Sequence, residues 1–386
     1  MQARKLMAAV AATTLTMSFA ACATRDGDAA NDNEIVIGLV APTSGFAADY
    51  GPEAAQGVEL ALDKFGSEAG GEKVSVVKVN EDVLDPSQTL ERVKKLVESD
   101  GADVVVGPIF GSSQQAVSAY LDQQGVPMFT LLGGDVALAG GDGSGFIWPG
   151  ADKKTAAPLG TYAAEELGYK KIATLGPDYA YGQNAIAGVA DAFKSAGGEV
   201  SQQQWVPLGT TDMLQYATKL DQDVDALAMW LVPNDAAAFV REYRNLGIKV
   251  PLLMFQGVFD PTYQSIGDEL SGEIGLNEYN HLLDYPENAA FTKAYDAKYH
   301  GIPNQTVAFA YTVTDIFLTG ADETDGDTSV KALREELDGK VFDTVIGPAS
   351  YDADGVAASN RTVVKAIKDG SRYEWEPVKT YENVGH

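Results

Sequence analysis

Apolar positions along this chain switch repeatedly between a period of two or a short continuous run and a helical period. Residues 35–40 (IVIGLV) read as a strand, and Val58, Ala61, Leu62 and Phe65 recur at helical spacing behind Pro52. A second strand is expected at 74–79. The helix after it is capped by Asp85, with Pro86 at its first position and Leu90, Val93, Leu96 and Val97 turned inward. Residues 103–117 (DVVVGPIFGSSQQAV) carry the strongest signal. Val104, Val105 and Val106 fit a strand buried on both faces, which Gly107-Pro108 stops. Ser112 and Ser113 offer cap chemistry to a helix over 114–121. Residues 127–131 add a fourth strand, and 133–145 form a glycine-rich loop. This alternation predicts a parallel sheet covered by helices on both faces. Ligands of such sheets settle at the carboxyl ends of the strands, where a helix N-terminus offers N–H groups to an anion. The 103–117 segment is therefore either an anion cradle or an ordinary strand–turn–helix join.

The pattern then restarts. A helix over 157–167 leads to a strand at 171–175, whose Gly176-Pro177 exit repeats that of the first half. Residues 178–182 open a helix with Ile186, Val189 and Phe193 on one side. Further strands are expected around Trp205, at 226–232 and at 252–255, with a helix over 236–246. From Asn288 the chain is mainly helical (291–299, 306–319 and 329–337). It closes with 349–353, a turn at Asp354-Gly355 and a strand at 362–367. Two halves of similar grammar without a linker indicate two similar lobes.

Composition narrows the function. A chain of 386 residues exceeds one small core, so two domains are expected. With 28 basic against 55 acidic residues, the net charge of −27 argues against nucleic acid or an anionic membrane surface as partner. Arg4 and Lys5 precede an apolar stretch over 6–21 that is too short to span a bilayer and reads as a secretion signal. It ends in Phe19-Ala20-Ala21-Cys22, which resembles the lipobox of bacterial lipoproteins, with Phe19 in place of the usual leucine. Cys22 would then be acylated; the other reading is a plain signal cleaved near Ala23. Cys22 is the sole cysteine, so no intramolecular disulfide forms. Residues 23–33 are polar, as a flexible tether should be.

Catalytic and cofactor motifs are absent from the sequence. The three histidines have no zinc-pair spacing. Residues 66–73 (GSEAGGEK) brush past a phosphate loop, but Glu72 stands where its lysine must follow glycine. No G-x-S-x-G elbow occurs. Residues 322–327 (DETDGD) lack the spacing of a calcium loop and read as a solvated acidic turn. No cofactor and no metal are expected, and binding is favoured over catalysis. An extracellular hydrolase using scattered carboxylates is the reading from another class.

These stretches together resemble a known family, the type I periplasmic solute-binding proteins of ABC transporters, in the branch that binds leucine, isoleucine and valine. The resemblance runs through IGLVAPTSGFAADYGPEAAQGVELAL, DVVVGPIFGSSQQAV, GVPMFT, Tyr181-Gly182, DALAMWLVPNDAAAFVREYRNLGIK, VAFAYTVTDIF and DTVIGPASYDADG, in that order. It implies an α/β fold of two Rossmann-like lobes with parallel central sheets, joined by a three-strand hinge and closing on a ligand. Residues 1–22 would be the lipoprotein signal and 23–33 the tether. Residues 34–152 and 281–345 would form one lobe, and 153–280 with 346–383 the other. The resemblance further implies a lipid-anchored monomer on the outer face of the cytoplasmic membrane or in the periplasm. It would serve the permease and ATPase of an importer and would not be an enzyme. A ligand sensor that signals to a separate membrane receptor is the alternative.

Carried over residue by residue, the resemblance is uneven. Gly111 stands in the place of the serine of the carboxylate pocket, beside Phe110 and ahead of Ser112. Leu131, Leu132, Gly133 and Gly134 replace a Pro-Ala-Ala-Thr-like stretch, so that Gly134 takes the place of a ligand-bridging threonine. Tyr50 matches an aromatic lid, Tyr181 the tyrosine of the second lobe, and Phe309 a hydrophobic wall. Val232 falls where the branch often has another tyrosine, with Trp230 on the same strand face. Gln256 occupies the position of the acidic residue that neutralises an α-ammonium. A buried ammonium wants an ionised partner. A free α-amino acid therefore fits less well than a small amide or an aromatic or short-chain carboxylate, unless Asp135, Asp178 or Asp260 supplies the charge.

Overall fold

A computed structural model describes residues 34–140, 143–150, 152–207, 210–257 and 262–385. The expected signal, Cys22 and the tether lie outside the described residues, as does Asp260. The chain opens with β1 (Glu34–Ala41), α1 (Tyr50–Phe65), β2 (Glu68–Ala69) and β3 (Glu72–Asn80). There follow α2 (Pro86–Glu98), β4 (Val104–Val106), α3 (Gly111–Gln124), β5 (Met128–Phe129) and β6 (Gly145–Phe146). These strands form one sheet in the order β2-β3-β1-β4-β5-β6, parallel except for the short β2–β3 return.

The second half runs α4 (Lys153–Glu165), β7 (Lys171–Pro177), α5 (Ala180–Ser195), β8 (Glu199–Val206) and α6 (Leu214–Thr218). It continues with β9 (Ala226–Met229), α7 (Pro233–Asn245), β10 (Leu252–Phe255), α8 (Thr262–Ile266) and β11 (Ile274–Asn277). Three helices come next: α9 (Pro286–Tyr299), α10 (Gln305–Glu323) and α11 (Val330–Leu337). The strands β12 (Val341–Thr344), β13 (Gly347–Tyr351), β14 (Ala357–Asp369) and β15 (Arg372–Val384) close the chain. The second sheet has the order β12-β13-β14-β11-β10-β9-β7-β8, with β15 paired to β14. It is parallel from β11 to β8 and antiparallel from β12 to β15.

The central strands of each sheet are buried on both faces, which explains the continuous apolar runs. Leu39, Val106 and Phe129 pack against α1 and α10, while Val40 and Val105 pack against Leu96, Val117 and Leu121. In the second sheet, Leu175 and Met229 face α7, and Ala228 and Leu253 face α4 and α5. No helix among the described residues is long and apolar enough to cross a membrane.

Two differences from the sequence expectation have physical reasons. The α3 helix begins at Gly111 with Phe110 at the cap position and no side-chain cap, so Ser112 and Ser113 fall inside its first turn. The expected strand at 362–367 is one arm of the long β14–β15 hairpin, whose β15 arm was missed. Only Trp375 of β15 is buried, and its polar outer face carries no apolar period to read.

Gly107 explains how the β4 exit turns. Its φ of +101° lies in the left-handed region, and a β-carbon there would sit 2.1 Å from the Val40 carbonyl oxygen. Only glycine fits that approach.

Among the described residues the chain crosses between the two halves near Trp148, Glu278 and Ser359. At these crossings Ile147 donates its N–H to Gly355 O (2.7 Å) and accepts from Ala357 N (2.8 Å). Beneath them lies a buried ion pair, with Glu278 Oε1 2.6 Å from Arg361 Nη1 and both side chains 3% exposed. The same oxygen accepts from Trp148 Nε1 (2.7 Å) and Ser359 Oγ (2.9 Å), and Arg361 Nη2 donates to Pro149 O (3.3 Å). Burial pushes the Glu278 carboxyl up, and Arg361, Trp148 and Ser359 pull it back. Removing one member strands the other charge. Glu278→Ala or Arg361→Ala should each cost about 3–5 kcal/mol in urea unfolding. The apolar double replacement Glu278→Leu/Arg361→Met should recover most of that loss; a double variant as unstable as the singles would contradict this account.

Candidate functional site

The carboxyl ends of the two sheets face one another beside these crossings, and both contribute groups to the cleft. On the first sheet, the β4–α3 loop is held from below. Glu81, 1% exposed at the end of β3, accepts the Ile109 N–H through Oε2 and the Phe110 N–H through Oε1, each at 2.9 Å. Buried Gln114 donates to Pro108 O (2.9 Å) and Ile109 O (3.1 Å) and accepts from Asp135 N (3.1 Å), which ties this loop to the next. The first-turn N–H groups of Gly111 and Ser112 have no acceptor among the described residues. The cradle thus splits in two: the buried Glu81 carboxyl is the internal acceptor for one pair of N–H groups, and the second pair faces outward at the positive end of α3. Tyr50 and Phe110 lie beside it with ring centroids 6.2 Å apart, and Leu132 packs on the same core.

On the second sheet, Tyr179, Tyr181 and Trp230 form an aromatic wall. Tyr181 lies 4.8 Å from Trp230 and stacks at 6.2 Å on Tyr179. The β9 strand stops at Met229, so Trp230 and Val232 stand beyond its end, yet both still pack against the α4–α5 side. Gln256 follows β10 in the left-handed conformation, φ +50°, a placement that costs a non-glycine residue about 1 kcal/mol. Its Oε1 accepts from Tyr181 Oη and Trp230 Nε1, each at 3.1 Å. Burial lifts the Tyr181 hydroxyl well above its ordinary value of 10.0, so it stays a neutral donor.

The two walls meet. The Tyr181 ring reaches over the first half, so that a β-carbon would lie 3.3 Å from it on Gly133 and 2.8 Å on Gly150. The Tyr50 hydroxyl is close enough to add to the upward shifts of Tyr179 and Tyr181, and its own is pushed up to about 12, chiefly by burial.

Of the residues expected from sequence, Tyr50, Phe110, Gly111, Ser112, Leu132, Gly133, Tyr181, Trp230, Val232 and Gln256 gather around this cleft. Two lie elsewhere. Phe309 is fully buried in α10, edge-on to Trp148 at 5.6 Å. Gly134 donates its N–H to Trp148 O (2.9 Å), and a β-carbon there would lie 2.4 Å from that oxygen, so no bridging side chain fits. Of the alternative charges, Asp135 accepts from Gln115 Nε2 (2.7 Å) and Ala137 N (3.1 Å). Asp178 is exposed and accepts from Gln183 Nε2 (2.9 Å). Sequence reading missed Tyr179, Glu81 and the Glu278–Arg361 pair. Tyr179 sits two residues before Tyr181 and was within reach; Glu81 and Arg361 join the site only through folding.

A groove of about 440 Å³ lies elsewhere, against the start of the 281–303 segment, lined by His281, Thr292, Lys293, Asp296, Gly301, Ile302 and Pro303. Its Lys293 and Asp296 are solvated and no buried polar group converges on it, unlike the cleft. No group of three His, Cys, Asp or Glu side chains among the described residues is placed to hold a metal ion.

Comparison with known proteins places this geometry. A family profile described as periplasmic binding protein matches residues 34–371. A Leu/Ile/Val-binding protein of Rhizobium johnstonii is 27% identical over 357 residues, covering 90% of this chain and 93% of that protein. A solute-binding protein of an ABC transporter from Rhodopseudomonas palustris, solved with 3,4-dihydroxybenzoic acid, superimposes with a TM-score of 0.82 at 21% identity. It covers 91% of this chain and 98% of its own. A branched-chain amino acid transporter substrate-binding protein from Streptococcus pneumoniae, solved with isoleucine, gives a TM-score of 0.77 at 24% identity, over 90% of this chain and all of that one. The two-lobed α/β fold with mostly parallel sheets is shared with both.

Glu81 yields a pH test. Burial pushes its carboxyl from 4.5 to about 7, against the pull of its N–H donors. The folded chain therefore holds a proton that the unfolded chain has lost, and stability falls as pH rises from about 4.5 to about 7. The loss is on the order of 3 kcal/mol. Unfolding of the wild type against Glu81→Gln across pH 4.5–7.5 should show this fall in the wild type only; parallel curves would contradict it.

Proposed function

This chain belongs to the periplasmic binding protein family, and we propose that it is the extracytoplasmic solute-binding component of an ABC importer. It captures a small carboxylate- or amide-bearing molecule between two lobes, residues 34–152 with 281–345 and residues 153–280 with 346–383. Cys22 carries the lipid that holds it to the membrane, and residues 23–33 form the tether. It acts as a monomer on the outer face of the cytoplasmic membrane or in the periplasm. Its protein partners are the permease and ATPase of the importer, and it is not an enzyme.

The observation that carries this reading is the facing of two aromatic walls across one cleft. Tyr50 and Phe110 stand on one side, and Tyr179, Tyr181 and Trp230 on the other, beside the chain crossings. Such a site sandwiches a flat or apolar body, while the outward N–H groups of Gly111 and Ser112 offer a grip for a carboxylate. Closure couples capture to transport, because a permease that distinguishes closed from open lobes responds only to the loaded protein. The isoleucine complex of one structural neighbour and the dihydroxybenzoate complex of another bracket the solute chemistry.

A thermal-shift screen of amino acids, amides and aromatic acids tests the reading. A bound solute at 100 times its dissociation constant adds about 2.7 kcal/mol of stability. At least one aromatic or short-chain acid should raise the melting temperature by several degrees, with leucine, isoleucine and valine giving little or none. A large shift with valine that Gln256→Ala abolishes would contradict the solute class, and no shift with any compound would contradict the function.

A further inference from the structure

We propose that Gln256 determines which solutes the cleft admits: its amide N–H edge faces the bound molecule, which presents an oxygen acceptor there and carries no ammonium. The inference rests on the solute-binding reading above and names the chemistry of the solute.

The amide's orientation follows from its neighbours. An indole N–H can only donate, so the atom of Gln256 that meets Trp230 Nε1 at 3.1 Å must be the carbonyl oxygen. Tyr181 Oη donates to the same oxygen at 3.1 Å, which fills its acceptor capacity. The nitrogen is thereby turned away from the aromatic wall. It makes no hydrogen bond among the described residues, although Gln256 is half-buried. The residue is also held at φ +50°, a conformation glutamine avoids, and left-handed non-glycine backbone clusters where a side chain must be aimed.

The cleft thus presents N–H donors from both walls, the Gly111 and Ser112 amides on one and Gln256 on the other. Both demand acceptors. An ammonium at Gln256 would meet two N–H groups and lose its water without gaining a partner. Of the carboxylates that could answer it, Glu278 is paired with Arg361, Asp135 accepts from Gln115, and Asp178 is exposed and accepts from Gln183, while Asp260 lies outside the described residues. A site built to donate rejects a donor far more strongly than a hydrophobic pocket rejects an added methylene.

Gln256→Glu is a sharp probe. One carboxylate oxygen still accepts from Trp230 and Tyr181, while the outward N–H edge becomes an anionic acceptor. Titration calorimetry would compare two matched pairs that differ by the α-ammonium: 3-phenylpropanoate against phenylalanine, and 4-methylpentanoate against leucine. The wild type should bind the member without the ammonium at least about tenfold tighter in one pair or both. Gln256→Glu should weaken that member about tenfold or more and abolish or invert the preference. Trp230→Phe, which removes the donor that fixes the amide, should reduce the preference severalfold; it also decides the matter if the glutamate variant fails to fold. A wild type that prefers the amino acids, or a preference unchanged in both variants, overturns the role of Gln256 alone. No binding by the wild type to any compound, here and in the thermal screen, overturns the solute-binding reading itself.

Discussion

The buried Glu278–Arg361 pair is the constraint around which the molecule is arranged. Two charges taken out of water are costly, and their attraction offsets that cost only when further hydrogen bonds satisfy the remaining lone pairs and protons. Here Trp148, Ser359 and the Pro149 carbonyl supply them, and each comes from a chain crossing. The crossings therefore share one electrostatic knot. The Glu278 charge also adds to the upward shift of Tyr181, so the knot lies at the base of the cleft. Both aromatic walls are positioned relative to a point that cannot slip without exposing a charge to a low-dielectric interior.

From that base the two halves contribute different chemistry. The first offers backbone. Glycines at Gly107, Gly134 and Gly150 let main chains approach to distances that no side chain would tolerate. Glu81 and Gln114 then lock the loop that carries the outward N–H groups. The second offers side chains, three aromatic rings and an amide whose polarity they set. A cleft with donors on both walls differs in kind from one made for a zwitterion.

Much of the fold was legible in the chain because doubly buried parallel strands declare themselves as apolar runs such as Val104, Val105 and Val106. Asp85 with Pro86 marked a helix start, and the Asp85 carboxylate does accept the Ser87 N–H at 3.2 Å. What escaped detection was polar or distant. The β15 strand buries little beyond Trp375, and its charged face looks like loop. Glu81 and Phe110 are 29 residues apart, and Trp148 and Glu278 are 130 apart, so only folding brings them together. At Gly134 the residue type was visible but its cause was not: the position is closed by the Trp148 carbonyl. Gln256 was legible as a departure from an acidic residue; which end of its amide faces the cleft depends on Trp230 and could be read only from the structure.

The central claim, that a solute is held between the Tyr50–Phe110 and Tyr181–Trp230 walls with an oxygen facing Gln256, is tested most directly by a crystal structure of the complex with the tightest-binding acid. The account predicts the solute in this cleft, its carboxylate near the Gly111 and Ser112 N–H groups and an acceptor oxygen within about 3 Å of Gln256 Nε2. A solute seated instead in the groove lined by His281, Lys293 and Asp296, or one whose ammonium meets Gln256 Oε1, would contradict it.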